Sequence, residues 1–139
     1  MNLTLVTDSA QLYGVFGRYL DPSGNQVCVT LEHAYLINGV WTPKLKRGLT
    51  YTCQRGVWTL DSGMVVKTFQ VMDVPNFNGA PVTDLLAAHP GNFNSSSKGC
   101  ICTGISVNPG IKMILDSDVA FKHFQDIQAD VDSFQLTIK

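Results

Sequence analysis

The chain has 139 residues, of which 45% are hydrophobic and 15% charged, and a formal net charge of −1. That balance suits one globular domain with one hydrophobic core, and it excludes both a disordered chain and a nucleic-acid binder driven by basic charge. The short basic cluster Lys44, Lys46 and Arg47 reads as a solvated loop, and no apolar run is long enough for a membrane span.

Residues 3–6 alternate weakly and predict a first strand. Residues 11–20, QLYGVFGRYL, are aromatic and β-branched with two glycines, which predicts a strand with a bulge or a close neighbour. Asp21-Pro22-Ser23-Gly24-Asn25 is a turn by local chemistry, and residues 26–32 (QVCVTLE) alternate, so the two segments predict a hairpin. Residues 33–47 read as a long mixed loop that packs down through Trp41, Pro43 and Leu45. Strands follow at residues 49–54 and 65–71, with a turn-rich stretch at 75–79 and a short segment at 84–88. Residues 99–106 read as a strand bearing Cys100 and Cys102. Asp116 or Ser117 can cap a helix whose apolar stripe is Ala120, Phe121, Phe124 and Ile127. Phe134, Leu136 and Ile138 alternate in a closing strand. The expected fold is one mainly β domain over residues 1–139, a small barrel or sandwich with one C-terminal-half helix packed on it.

Chemistry concentrates in residues 89–106, HPGNFNSSSKGCICTGIS. The run is rich in Gly, Asn and Ser and reads as loop, yet it opens on a histidine and ends on two cysteines. A thiol beside a histidine brought in by a folded loop is the minimum equipment for a cysteine nucleophile. Cys100 is the candidate nucleophile and His89 the candidate base. Pro90 disfavours helix at His89 and sets the imidazole on extended backbone. Asn92, Ser97, Lys98 and Gly99 are candidate substrate-binding positions, and Glu32, next to His33 at a strand end, is another. Cys28 and Cys53 read as core, and Cys102, expected to face the same way as Cys100, reads as a resolving thiol or as core. No CxxC spacing supports a zinc site, so neither a metal nor a cofactor is expected. GxSxG, GxGxxG and Walker patterns do not occur.

The succession TLE (30–32), GLTY (48–51), DVPNFNG (73–79), HPGN (89–92), KGCICTG (98–104) and an S-x-x-AF helix (117–121) resembles the DUF5675 family of small phage and prophage proteins. The likeness spans roughly residues 14–124. Its histidine and glycine-cysteine motifs are in turn similar to the signature of L,D-transpeptidase (YkuD-like) catalytic domains. The resemblance implies Cys100 as acyl-accepting nucleophile, with Gly99, Ser97 and His89 at motif positions. Lys98 stands where that signature has a histidine, Cys102 where it has an arginine that binds a substrate carboxylate, and Pro90 separates His89 from Gly91.

Two functions of different class follow as expectations. One is a phage-encoded cysteine peptidase or transpeptidase acting on peptidoglycan stem peptides. The other is a virion- or tail-associated binding module without turnover, for which the low charge fraction and the substituted base position speak. Hydrogen-bond reach between Cys100 and His89 separates them. The N-terminus MNLTLVTDSA has no basic region followed by an apolar stretch, so synthesis in a host cytoplasm is expected, with action in the virion or at the cell wall. The partners expected are peptidoglycan peptides or virion proteins and not nucleic acid, and an oligomer is compatible with the low charge.

Overall fold

The computed structural model describes residues 1–139. It is mainly β, a curled seven-stranded half-barrel sheet carrying one helix in its C-terminal half. The strands are β1 (Leu3–Gln11), β2 (Gly14–Leu20), β3 (Gln26–Glu32), β4 (Tyr35–Ile37), β5 (Val40–Thr42), β6 (Thr50–Thr59), β7 (Val65–Val71), β8 (Cys102–Gly104), β9 (Ser106–Val107), β10 (Ile114–Leu115) and β11 (Ser133–Ile138). The helix α1 is Ser117–Ile127. The large sheet runs β7-β6-β11-β1-β2-β3-β8, with β4–β5 and β9–β10 as separate two-stranded ribbons. All its pairings are antiparallel except β1 with β11, which run parallel and bring the two ends of the chain side by side. No helix is long and apolar enough to cross a membrane.

The β2–β3 hairpin forms at the expected turn. Asp21 Oδ1 accepts the N–H groups of Ser23 and Asn25, both at 2.9 Å, which is how a short carboxylate closes a turn on its own backbone. The long loop after β3 folds further than expected. Asn38 and Gly39 take φ of +50° and +77°, so the Asn-Gly pair makes a tight turn and zips β4 to β5.

Both faces of β2–β3 are covered. Tyr19 and Cys28 point into the main core, whereas Phe16, Val29 and Leu31 meet Cys102 and Ile114 in a smaller core on the other face. Ala120, Phe121 and Phe124 of the α1 stripe dock as their periodicity predicts, whereas Ile127 is only half-buried and Gln128 takes the buried place after it. Phe124 is fully buried, with ring centroids 6.0–6.1 Å from Tyr19, Phe69 and Phe134, and its burial is worth about 2–3 kcal/mol. Its first turn is not capped by Asp116 or Ser117. The Asn92 side chain, from the loop, accepts the Ser117 N–H at 3.3 Å.

What positions the site is residues 85–89, buried from Leu85 to Ala88. This segment links the two edges of the curled sheet. On one side Val71 N–H donates to Leu85 O and Ala87 N–H donates to Phe69 O, both 2.8 Å. On the other, Ile101 N–H donates to Leu86 O at 2.9 Å and Thr103 N–H reaches His89 O at 3.4 Å. Side chains satisfy two more carbonyls: Tyr19 O–H donates to Ala87 O and Thr68 O–H to Ala88 O. A buried irregular segment keeps its place only if its polar backbone groups are paired in this way. The sheet edges are thus closed by a stretch too short to look like a strand.

Candidate active site

An open polar cleft of about 660 Å3 lies between the tip of the β6–β7 hairpin and the loop that follows residues 85–89. Trp58, Asp61 and Met64 form one wall. His89, Asn92, Ser97, Lys98 and Cys100 form the other, and the start of α1 closes one end with Ser117 and Asp118. Of the residues singled out in the sequence, all but Gly99 and Glu32 line this cleft, and Gly99 lines an adjoining pocket.

Cys100 precedes β8 rather than sitting on it, and its side chain is half-buried. Its sulfur meets the backbone of the edge-bridging segment. Leu86 N–H donates to Sγ at 3.3 Å, and the thiol in turn points at Asp84 O, 3.4 Å away. Burial pushes the Cys100 thiol above its ordinary pKa, against the opposing pull of the Leu86 N–H, Ser97 and Lys44. Two neighbouring amides that could hold an oxyanion are already committed. Gly99 N–H donates to Ser97 Oγ at 3.0 Å and Ile101 N–H to Leu86 O. The Cys100 N–H has no partner in the chain.

His89 opens to the same cleft, but no hydrogen bond joins it to Cys100. Its Nδ1 lies 3.8 Å from Cys102 Sγ, and Nε2 has no partner in the chain. Burial lowers the His89 pKa below the usual imidazole value, with a Pro90 backbone contact and Asp61 opposing. The ring is therefore neutral near pH 7. Cys102 is buried in the smaller core, and its thiol is pushed up to about 12 by burial. Gly91 is needed beside it, since a Cβ there would come within 2.4 Å of Ser96 Cβ and 3.2 Å of Cys102 Sγ.

The remaining candidates hold the loop in shape. Ser97 O–H donates to Cys100 O at 2.9 Å while accepting the Gly99 N–H. Asn92 O accepts the Ile114 N–H at 2.9 Å, besides the contact of its side chain with Ser117. Lys98 presents its carbonyl to Tyr35 O–H and its exposed side chain to the cleft. Glu32 is elsewhere. It is 1% exposed and held by Arg47 at 2.5 and 3.0 Å, and burial raises its pKa despite that partner. It does not line the cleft.

Further contributors surround the thiol, and of these only His33, beside Glu32 at the strand end, is a candidate from the sequence. His33 Nδ1 sits 2.7 Å from Asn94 O and 2.9 Å from Ser97 O, so as an N–H donor it pins the turn before Cys100. The backbone of Asp84 and Leu86 cradles the sulfur. Lys44, from the long loop, reaches Gly99. No three His, Cys, Asp or Glu side chains converge closely enough to hold a metal ion.

The geometry defines a mainly β domain with a thiol and an imidazole on one polar cleft. Comparison with family models, with curated proteins and with solved structures finds no match for this chain.

Proposed function

We propose that the cleft is a site of cysteine-dependent acyl transfer on peptides, with peptidoglycan stem peptides as the substrate class. The observation that supports this reading is convergence. One open cleft is lined by a half-buried thiol with an amide N–H on its sulfur and by a neutral imidazole, and the N–H of the thiol's own residue has no partner in the chain. The likeness of the His89 and Gly99-Cys100 motifs to the L,D-transpeptidase signature favours the same reading and an action at the host cell wall.

In this mechanism Cys100 Sγ bonds to the substrate carbonyl carbon and its proton passes to His89 Nε2, directly after a side-chain rotation or through one water. The carbonyl electron pair moves to oxygen, where the Cys100 N–H receives it. Collapse breaks the C–N bond, and the leaving amine takes the proton from His89. Water or an acceptor amine then resolves the thioester and returns the thiol. A thiol held above its usual pKa beside an imidazole held below its own is a neutral pair, so the base acts during attack rather than through a preformed ion pair. The role requires the tautomer with Nδ1–H toward Cys102 and Nε2 free.

A second reading, a virion- or tail-associated module that binds peptide without turnover, is favoured by the missing hydrogen bond between His89 and Cys100. Intact-mass measurement after incubation with stem peptides separates the two. An acyl adduct on the wild-type chain that falls by at least ~10³-fold in Cys100→Ala, with the fold retained, supports the enzyme. Peptide binding without any adduct, unchanged in Cys100→Ala, supports the binding module.

A further inference from the structure

The peptide unit joining Lys98 to Gly99 is held at both of its polar atoms. Its oxygen, Lys98 O, accepts the Tyr35 O–H, and its N–H, on Gly99, donates to Ser97 Oγ at 3.0 Å. A peptide unit is planar, so bonds at its two ends fix its orientation. Gly99 follows with φ of +155°, a conformation that side chains disfavour and that glycine enters as one of many. The chain just before the thiol therefore owes its shape to these two bonds. We propose that Tyr35 is a positioning residue for the Cys100 thiol: it clamps the Lys98–Gly99 peptide from outside the cleft and so keeps the sulfur between Leu86 N–H and Asp84 O. Tyr35 has this role whether or not acyl transfer follows.

A hydroxyl can set a loop only if its own ring is fixed, and the Tyr35 ring is packed from several stretches of chain. Its centre lies 4.5 Å from that of His33 and 5.2 Å from that of Phe77, both rings tilted, and Lys44 Nζ lies 5.4 Å from it. Phe77 is presented by a closed turn. Phe77 N–H donates to Ala80 O at 2.8 Å and Ala80 N–H to Phe77 O at 3.0 Å, while Asn78 and Gly79 between them take φ of +49° and +79°. This gives the DVPNFNG stretch a task, an Asn-Gly turn that sets Phe77 against Tyr35. His33 serves twice, since it packs on Tyr35 and its Nδ1 lies 2.9 Å from Ser97 O. Ser97 then carries the clamp past Gly99, its O–H donating to Cys100 O at 2.9 Å.

The test uses the thiol as its own probe. The native protein is alkylated with iodoacetamide over a range of pH, and each cysteine is followed by peptide mapping. Tyr35→Phe keeps the ring and removes only the hydroxyl. It should raise the Cys100 rate about five-fold, the change in open fraction that one lost hydrogen bond produces. The midpoint of the Cys100 pH profile should also move down toward that of a free-cysteine peptide, because a released thiol escapes the burial that raises its pKa. The rates at Cys28, Cys53 and Cys102 should equal those of wild type held in urea at matched stability. Phe77→Ala should raise the Cys100 rate by a smaller factor, and that increment should vanish in a Tyr35→Ala background, since Phe77 acts through Tyr35. A Cys100 rate and midpoint unchanged in Tyr35→Phe overturn the proposal. So does a rise shared by all the cysteines, which marks a hydroxyl that serves stability alone. A Phe77→Ala effect that persists without Tyr35 overturns the task given to the turn. No acyl donor enters these measurements, so a wild-type chain that forms no acyl adduct removes the acyl-transfer reading and leaves the role of Tyr35 standing.

Discussion

Cys100 and Cys102 are separated by one residue and live in different surroundings. Cys102 begins β8 and packs with Phe16, Leu31 and Ile114, its sulfur against His89 and its pKa about 12. Cys100 lies before the strand, where the Leu86 N–H reaches its sulfur and where two cavities open onto it. The difference comes from the partner segment. Residues 85–89 bond to residues 101 and 103 through backbone groups, so the ladder accommodates Ile101 and Thr103, while Leu86 N–H is left to point at a side chain. A sulfur that takes a hydrogen bond from the edge of a sheet is held in place without being sealed in.

Thiol labelling probes that contrast with the largest expected effect. Cys100 should react with iodoacetamide ~10²-fold or more faster than Cys102, Cys28 or Cys53, because the other three need local or global opening to meet the reagent. Since burial raises the Cys100 pKa, its rate should keep climbing at pH values where a free-cysteine peptide has levelled off. Equal labelling of Cys100 and Cys102 in the native protein would break the comparison.

Stability should move the other way. Cys102→Ala removes a sulfur from a packed core and leaves a small cavity, and should cost about 1–2 kcal/mol by denaturant titration. Cys100→Ala leaves the buried Leu86 N–H without its sulfur acceptor and should cost about 1 kcal/mol, with no core cavity added. A larger loss at Cys100 than at Cys102 would assign the sulfur at the rim a structural role.

Much of this architecture was legible in the sequence where one physical signal dominated. Residues 26–32 and 65–71 alternate or run β-branched, and they are β3 and β7 to the residue. Ala120, Phe121 and Phe124 recur at helical spacing and are the buried face of α1. The Asn38-Gly39 pair carries an equally plain turn signal, masked by the mixed polarity of the loop around it. Residues 85–88 were not legible as a sheet element. Leu85-Leu86-Ala87-Ala88 has neither strand periodicity nor β-branching, bends at Ala87 and Ala88, and is held because two edges pair with it. The same reason hides the surroundings of the thiol. Asp84 and Leu86 act through backbone atoms, and Lys44 arrives from more than 50 positions away in the chain. Local pattern could name Cys100 and His89, but the expectation that Cys102 shares its setting assumed a strand starting at Gly99, and β8 starts at Cys102.

The smallest effect concerns His89, which belongs to both neighbourhoods: it lines the cleft and touches the Cys102 sulfur. In the unfolded chain its imidazole titrates near pH ~6.5. Burial lowers the folded value, so between the two the unfolded state binds a proton that the native state does not. The stability tied to neutral His89 is fully present above pH ~6.5 and is lost as pH falls through the lower folded pKa. Glu32, whose pKa is raised by burial, acts with the opposite sign, its contribution being present at low pH and lost as pH rises through its folded value. Raw stability curves therefore mix the two, and the difference between wild type and His89→Gln isolates the histidine. That difference should favour wild type progressively less as denaturation is repeated from pH 7.5 down to pH 5. Parallel curves across the window would mean that the imidazole titrates alike in both states, and the neutral thiol–imidazole pair on which the base role depends would lose its support.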